Sequence, residues 1–203
     1  MSDSESQSLH VIILAAGAST RLGQPKQLVK LKGQPILHKV VSSAVGVAGQ
    51  SVTVVLGANA QDLTPLLARS SVSVIVNRHW QEGLASSLRF GLAAAPPACS
   101  AALILLGDQW AVTAADLKRL IDAWNGQDST IAASVYEGHV GVPAIFPRWS
   151  FTELRELRGD QGARAILERH AHRLSRVQMP NAAMDLDTPE DLAALTARHD
   201  TTP

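Results

Sequence analysis

Short apolar runs alternate with longer amphipathic stretches from Val11 almost to the end of the chain. Val11–Leu14, Val52–Leu56, Val72–Val76, Ala102–Leu106, Thr130–Val135 and Leu174–Val177 read as strands. Helical patterns begin near Pro35, Gln61, Leu84, Thr113, Asp160 and Thr188. Strand and helix in regular succession predict a single-domain, Rossmann-like three-layer α/β/α sandwich with a mainly parallel sheet, because parallel strands need crossovers that cover both faces.

Several helix starts carry their own mechanism. Pro35 can open a helix whose apolar face is Ile36, Val40, Ala44 and Val47. Thr113-Ala-Ala-Asp116 and Thr188-Pro-Glu-Asp191 both read as N-terminal capping sequences. Leu117, Leu120, Ile121 and Trp124 then mark one buried face, and Leu192 and Leu195 another. Ala93–Ser100, with Pro96-Pro97, reads as a loop. Gly138–Arg158 interrupts the rhythm. Gly138, Gly141, Pro143 and Pro147 punctuate a short extended piece, Ala144–Phe146, expected to cover the carboxyl edge of the sheet.

Composition narrows the classes further. The 203 residues suggest one domain, and 46% hydrophobic residues suit a packed core rather than disorder. Lys plus Arg balances Asp plus Glu at 18 each, so neither a nucleic-acid footprint nor an acidic tail is indicated. The single Cys99 cannot form an intrachain disulfide, which fits a reducing, cytoplasmic setting. Residues 1–8 are polar and acidic and are expected to be a disordered tail, leaving 9–199 as the domain. No apolar run approaches the ~20 residues needed to span a bilayer.

The candidate chemistry lies where apolar runs end in small or charged residues. Val11–Leu14 leads into Ala15, Ala16, Gly17, Ala18 and Ser19, so a ligand could lie against bare backbone. Arg21 and Lys26 follow, suited to holding a triphosphate by a two-donor grip and a point charge. Leu103-Ile-Leu-Leu-Gly-Asp108 ends a strand in a carboxylate, at the position where open α/β sheets bind ligands and where Mg²⁺ could be ligated. Asp185 and Asp187 share one direction if that segment is extended. Either could supply a second metal ligand, while Thr188, Glu190 and Asp191 serve the helix start. Asn77–Gly83 and Ser86–Gly91 follow another strand. Gly83 backbone and the Ser87 hydroxyl could meet a base edge, with Ser86 as a helix cap and Trp80 as packing being the plainer alternatives. Loops such as Gly138–Pro143, expected over the carboxyl edge, would suit an acceptor, and Asp160 reads as a helix cap. There is no His-Glu-x-x-His pair, no Cys–His zinc spacing and no Gly-x-Ser-x-Gly elbow.

The pattern Leu-Ala-Ala-Gly-x-Ser-x-Arg-x-Gly-x-x-Lys at Leu14–Lys26 resembles the signature loop of nucleotidyltransferases. With Gly107-Asp108-Gln109 and Asp185-Leu-Asp-Thr-Pro-Glu-Asp191, it is most similar to the molybdenum cofactor cytidylyltransferase group and its guanylyltransferase relatives. The resemblance implies a nucleotide-diphospho-sugar transferase-like fold. It also implies Mg²⁺, CTP as donor, molybdopterin as the phosphorylated acceptor and a molybdoenzyme that receives the product. It places Leu14, Ala15, Ala16, Gly17, Gly83 and Ser87 around the nucleotide, Arg21, Lys26 and Asp108 at the reacting phosphates, and Asp108 with Asp185 or Asp187 on the metal. The chain departs from the pattern at Trp110, where Pro is usual, and at Val142, where His is usual and His139 is displaced. A sugar-phosphate nucleotidyltransferase and a non-catalytic nucleotide-binding cofactor chaperone are the rival expectations.

Overall fold

The structure, a computed structural model, describes residues 8–186 and 188–192. Its elements, in chain order, are β1 (Leu9–Ala15), β2 (Lys30–Leu31), β3 (Gln34–Pro35), α1 (Ile36–Ala48), β4 (Val52–Leu56), α2 (Ala60–Leu67), β5 (Ser73–Val76), α3 (Leu84–Ala94), β6 (Ala101–Leu106), α4 (Ala114–Trp124), β7 (Ile131–Tyr136), β8 (His139–Pro147), α5 (Phe151–Glu156), α6 (Arg164–Arg169) and β9 (Leu174–Gln178). Among the described residues, seven strands form one sheet in the order β5-β4-β1-β6-β8-β7-β9, and β2 and β3 make a small separate hairpin.

The expected α/β sandwich is present. β1 pairs in parallel with β4 on one side and β6 on the other, Val11 lying opposite Val52 and Leu103. Side chains alternate across the sheet. Val11, Ile13 and Ala15 therefore pack with Leu37, Val40 and Ala44 of α1 and Leu117, Leu120 and Trp124 of α4. Ile12 and Leu14 face the other layer, with Leu88 of α3, Leu154 of α5 and Ile166 of α6. A strand covered on both faces must be apolar throughout, which is why Val11–Leu14 has no polar alternation.

The segment after Gly138 corrects the sequence reading. β8 does not cover the carboxyl edge: it lies inside the sheet, antiparallel to both β6 and β7. Its glycines and prolines fit because the pairing register with β7 shifts between Ala133 and Ser134. Val142 and Pro143 fall at that irregularity, where a missing ladder N–H costs little. Asp160 does not open a helix either. It sits in a turn, α6 starts at Arg164, and the short α5 precedes both.

At α4, Thr113 Oγ1 accepts from Asp116 N at 3.2 Å and Asp116 Oδ2 accepts from Thr113 N at 3.0 Å, the reciprocal cap read from the sequence. The carboxylate does more than cap. It also accepts from Asn181 Nδ2 at 2.8 Å and Arg119 Nη2 at 2.6 Å, tying α4 to the turn Pro180–Ala183 that leads to Asp185. Burial pushes the Asp116 pKa up, but the donors on Asn181, Thr113 and Arg119 outweigh it and bring it from 3.8 to about 2. Since the folded value is the lower one, these bonds stabilise fully above pH 3.8 and are lost as pH falls towards about 2. In urea unfolding, the stability gap between wild type and Asp116→Asn should therefore shrink through that window and stay constant at higher pH.

Candidate functional site

Parallel pairing brings the carboxyl ends of β4, β1 and β6 side by side, so the loops that follow them converge. Their approach leaves no room for side chains. A Cβ on Gly57 would lie 2.5 Å from the Ala16 carbonyl oxygen and 2.7 Å from Trp80 Cβ, and one on Gly107 would lie 2.7 Å from Ala15 Cβ. Backbone bonds lock the arrangement: Ala58 N donates to Ala16 O at 3.0 Å and Gly107 N to Leu14 O at 2.8 Å.

The loop after β1 folds back on itself. Ser19 has φ 55° and Gly23 φ 72°, and Lys26 N donates to Ser19 Oγ at 3.2 Å. This return delivers Lys26 to Asp108, with which it forms an ion pair recessed from solvent. Asp108 stands just past β6, on a turn held by Gln109. The Gln109 side chain accepts from Leu106 N at 3.1 Å and donates to Val142 O at 2.7 Å. Trp110 takes the position where the family pattern has Pro. Half-buried, it packs against Leu22, Leu31, Ile36 and Leu186, under Lys39 Nζ at 5.6 Å from its ring. The substitution thus fastens the first loop to α1 and to the segment beside Asp185. Arg21 is exposed on the same loop.

Three cavities meet around Leu14 and Leu84. The first, about 320 Å³, is lined by Leu14, Ala16, Gly17, Trp80, Gly83, Ser87 and Asp160 among others. The second, about 190 Å³, includes Ala15, Gly17, Lys26, Gly107 and Asp108. The third, about 220 Å³ and mostly apolar, includes Leu106, Tyr136, His139, Val142 and Arg164. All three share Leu14 and Leu84, so a ligand can run from one to the next.

Gly83 shapes the first cavity. At φ 99° it adopts backbone that side chains resist, and a Cβ there would overlap the Gly159 carbonyl. Gly159 O also accepts from Ala85 N at 3.0 Å, and Arg89 reaches Leu157 O at 2.8 Å. The turn containing Asp160 is thereby pinned to the start of α3. Ser86 does not cap α3. It lies in the first turn, where its hydroxyl and that of Ser87 accept from the fully buried Asn77 side chain at 3.0 and 3.1 Å.

At the third cavity, the carbonyls of β8 that the sheet leaves free are met by side chains. Ser134 Oγ lies 3.1 Å from Gly141 O and 2.7 Å from Pro143 O, and Gln109 takes Val142 O. The half-buried Tyr136 phenol lies over Gly141, where a Cβ would overlap it. Burial raises the Tyr136 pKa, and the nearby carboxylates of Asp185 and Asp108 raise it further against the opposing charge of Arg164. The charges of Asp108 and Asp185, carried on separate segments, thus both act on one phenol, and Asp185 is exposed to solvent. Asp187 lies outside the described residues. No group of three or more His, Cys, Asp and Glu poised to cage a metal occurs among the described residues. The Asp108 carboxylate in a cavity it shares with Lys26 nevertheless suits Mg²⁺, which takes one or two protein carboxylates and fills its other positions with substrate phosphate and water.

Of the residues singled out from sequence, Leu14, Ala16, Gly17, Gly83 and Ser87 line the first cavity, and Ala15, Lys26 and Asp108 the second. Arg21 and Asp185 line none of the three. Asn77, Gln109 and Tyr136 received no individual role from the sequence, and Asp116 only that of a helix cap. Asn77 nevertheless stands directly after β5, a position that often carries function in this sheet type. Cys99 is buried, its thiol donating to Ala101 O at 2.9 Å and its pKa pushed up by burial. It has no features of a nucleophile.

Comparison with known proteins bears on the family and the fold. The family model described as MobA-like NTP transferase domain matches residues 11–174. Nicotine blue oxidoreductase of Paenarthrobacter nicotinovorans is 28% identical over 204 residues, covering 96% of this chain and 100% of that protein. The crystal structure of Rv0371c from Mycobacterium tuberculosis H37Rv is 30% identical with a TM-score of 0.82, over 94% of this chain and 98% of that one. Its complex with manganese is 28% identical with a TM-score of 0.78, over 96% and 100% respectively.

Gly83→Ala tests the junction of the first cavity. The methyl group meets Gly159 at a strained φ, so the variant should melt at lower temperature and lose most nucleotide affinity. Gly17→Ala, with open space around its Cβ, should leave the melting temperature nearly unchanged. Differential scanning fluorimetry and calorimetric titration with CTP measure both.

Proposed function

The chain belongs to the MobA-like NTP transferase family, and from that premise we propose that it transfers CMP from CTP to a phosphorylated small-molecule acceptor, molybdopterin being the preferred one. The observation that carries the proposal is the Lys26–Asp108 pair lining the second of three adjoining cavities. The first cavity takes the base and ribose against Ala16, Gly17, Gly83 and Ser87. The second takes the phosphates, and the third takes the acceptor beside Tyr136 and Arg164. The catalytic domain is assigned to 9–199, the compartment to the cytoplasm, and the destination of the product to a molybdoenzyme.

An acceptor phosphate oxygen attacks the α-phosphorus of CTP, the new P–O bond forms, and the α–β bridging bond breaks with its electron pair leaving on pyrophosphate. A phosphate nucleophile is already ionised near neutral pH, so no general base is needed. What the protein supplies is position and charge. Lys26, freed from Asp108 by the incoming triphosphate, neutralises charge growing on the reacting phosphoryl group. Arg21 grips the outer phosphates from its exposed position on the same loop. Gly17 and Ala16 admit the ligand to the backbone, and the Leu14–Leu84 contact keeps donor and acceptor in adjoining chambers. Mg²⁺ bound by Asp108 together with Asp185 or Asp187 would supply charge neutralisation and orientation of phosphate oxygens.

Pyrophosphate release with Mg²⁺ and each of four NTPs, with and without molybdopterin, tests the reading. Release with CTP that depends on molybdopterin supports it. Release with another donor or with a sugar phosphate keeps the chemistry and replaces the named substrates. Binding without release in any mixture favours the cofactor-chaperone reading, and redox turnover of nicotine blue instead would move the chain towards the activity named for its P. nicotinovorans relative. Asp108→Ala should lower release by about a hundredfold or more while retaining its circular dichroism. Wild-type turnover by that variant in metal-controlled buffer would refute the role of Asp108.

A further inference from the structure

We infer that Asn77 is a specificity-positioning residue that turns the Ser87 hydroxyl into a hydrogen-bond donor aimed at the carbonyl oxygen of a pyrimidine base. The inference rests on the reading of the first cavity as the base site and adds what that site asks of its ligand.

The orientation of the Asn77 amide follows from its partners. Its Oδ1 accepts from His79 N at 2.9 Å. The NH₂ group must therefore face Ser86 and Ser87, at 3.0 and 3.1 Å, and an amide NH₂ can only donate. Both serine hydroxyls are thus acceptors towards Asn77, and each keeps its own proton for another partner. Serines and threonines on the other helices commonly spend that proton on the carbonyl four residues back: Ser42 donates to His38 O at 2.8 Å and Thr64 to Ala60 O at 2.7 Å. Among the described residues Ser87 has no such bond, and it lines the first cavity while Ser86 does not. Its remaining proton points to what enters there.

Asn77 is fully buried, anchored through its own N–H to Leu56 O at 2.8 Å. The polarity of the Ser87 hydroxyl is therefore built in before any ligand arrives. With one lone pair taken by Asn77 and its proton still to place, the Ser87 hydroxyl favours a base that offers a carbonyl oxygen over one that offers an N–H, which would leave that buried proton unsatisfied. The effect acts on binding and leaves the phosphate chemistry alone.

The test is calorimetric titration of the full chain with CTP and Mg²⁺, without acceptor. Ser87→Ala should raise Kd about tenfold, the scale of one hydrogen bond. Asn77→Asp keeps the shape and the bond from His79 N, but its carboxylate only accepts, so Ser87 turns its proton inward and presents a lone pair to the base. It should weaken CTP more than Ser87→Ala does. The double variant should return to the Kd of Ser87→Ala, since no hydroxyl remains to repel the base. A double variant weaker than both singles, or an Asn77→Asp protein that binds like wild type while Ser87→Ala does not, overturns the inference and spares the base site. A Ser87→Ala protein that binds like wild type overturns the base site itself. If Asn77→Asp does not fold, wild type decides: CTP carrying sulfur in place of the C2 carbonyl oxygen, a poorer acceptor, should bind several-fold more weakly than CTP to wild type and equally to Ser87→Ala, and equal binding to wild type overturns the inference.

Discussion

The close approach of three backbones at the end of β1 is the constraint on which the site depends. Gly57 and Gly107 close on Ala16 and Ala15 from either side, at distances that exclude any Cβ. Parallel pairing sets the strands, and the missing side chains let the loops meet. Because the loops meet, Lys26 from one can reach Asp108 from another. Larger residues at Gly57 or Gly107 would force the strands' carboxyl ends apart and separate the two charges. The energetic role of the Lys26–Asp108 pair is secondary to this. A recessed pair recovers in mutual attraction much of what its groups lose in hydration. In the proposed reaction a polyanion would compete for the lysine and a cation for the carboxylate, and the ion pair holds both groups in one place.

Around that point the molecule divides labour by layer. The α3 side supplies the first cavity through Gly83 and Ser87, and the β6–β8 side supplies the third through Tyr136 and Val142. Gly159 binds the two together by accepting from Ala85 at the start of α3. Gln109 and Asp116 play the same part on the other flank. The first joins the Asp108 turn to β8, and the second joins α4 to the turn that precedes Asp185. None of these three groups needs to touch substrate to matter, since each holds a segment of the proposed site.

Much of this was readable in the chain, and the limits have physical causes. Apolar runs covered on both faces announce themselves, and β4 begins and ends where the pattern places it, at Val52 and Leu56. The Thr113–Asp116 cap is equally local and equally visible. β8 was hidden because its glycines and prolines look like punctuation, and only the register shift opposite Ser134 makes room for Val142 and Pro143 inside a sheet. Asp160 looked like a helix cap for a similar reason: its true neighbour, Gly83, is far away in sequence. Trp110 departs from the family pattern, and only the packed cluster with Leu22 and Leu186 explains what it does. The candidate site residues of β1 and β6 stood out because strand ends concentrate them. Asn77 and Tyr136 did not, because a lone buried amide or phenol acquires meaning only from its spatial partners.

The central claim is that the bond broken lies between the α- and β-phosphorus of CTP. The most direct measurement follows CTP labelled separately at the α- and γ-phosphate, with Mg²⁺ and molybdopterin, and separates the products. Transfer of CMP puts α-label in the organic product and γ-label in pyrophosphate, in equal amounts. γ-Label on the acceptor, or an acceptor that gains neither label while CTP is consumed, would contradict it.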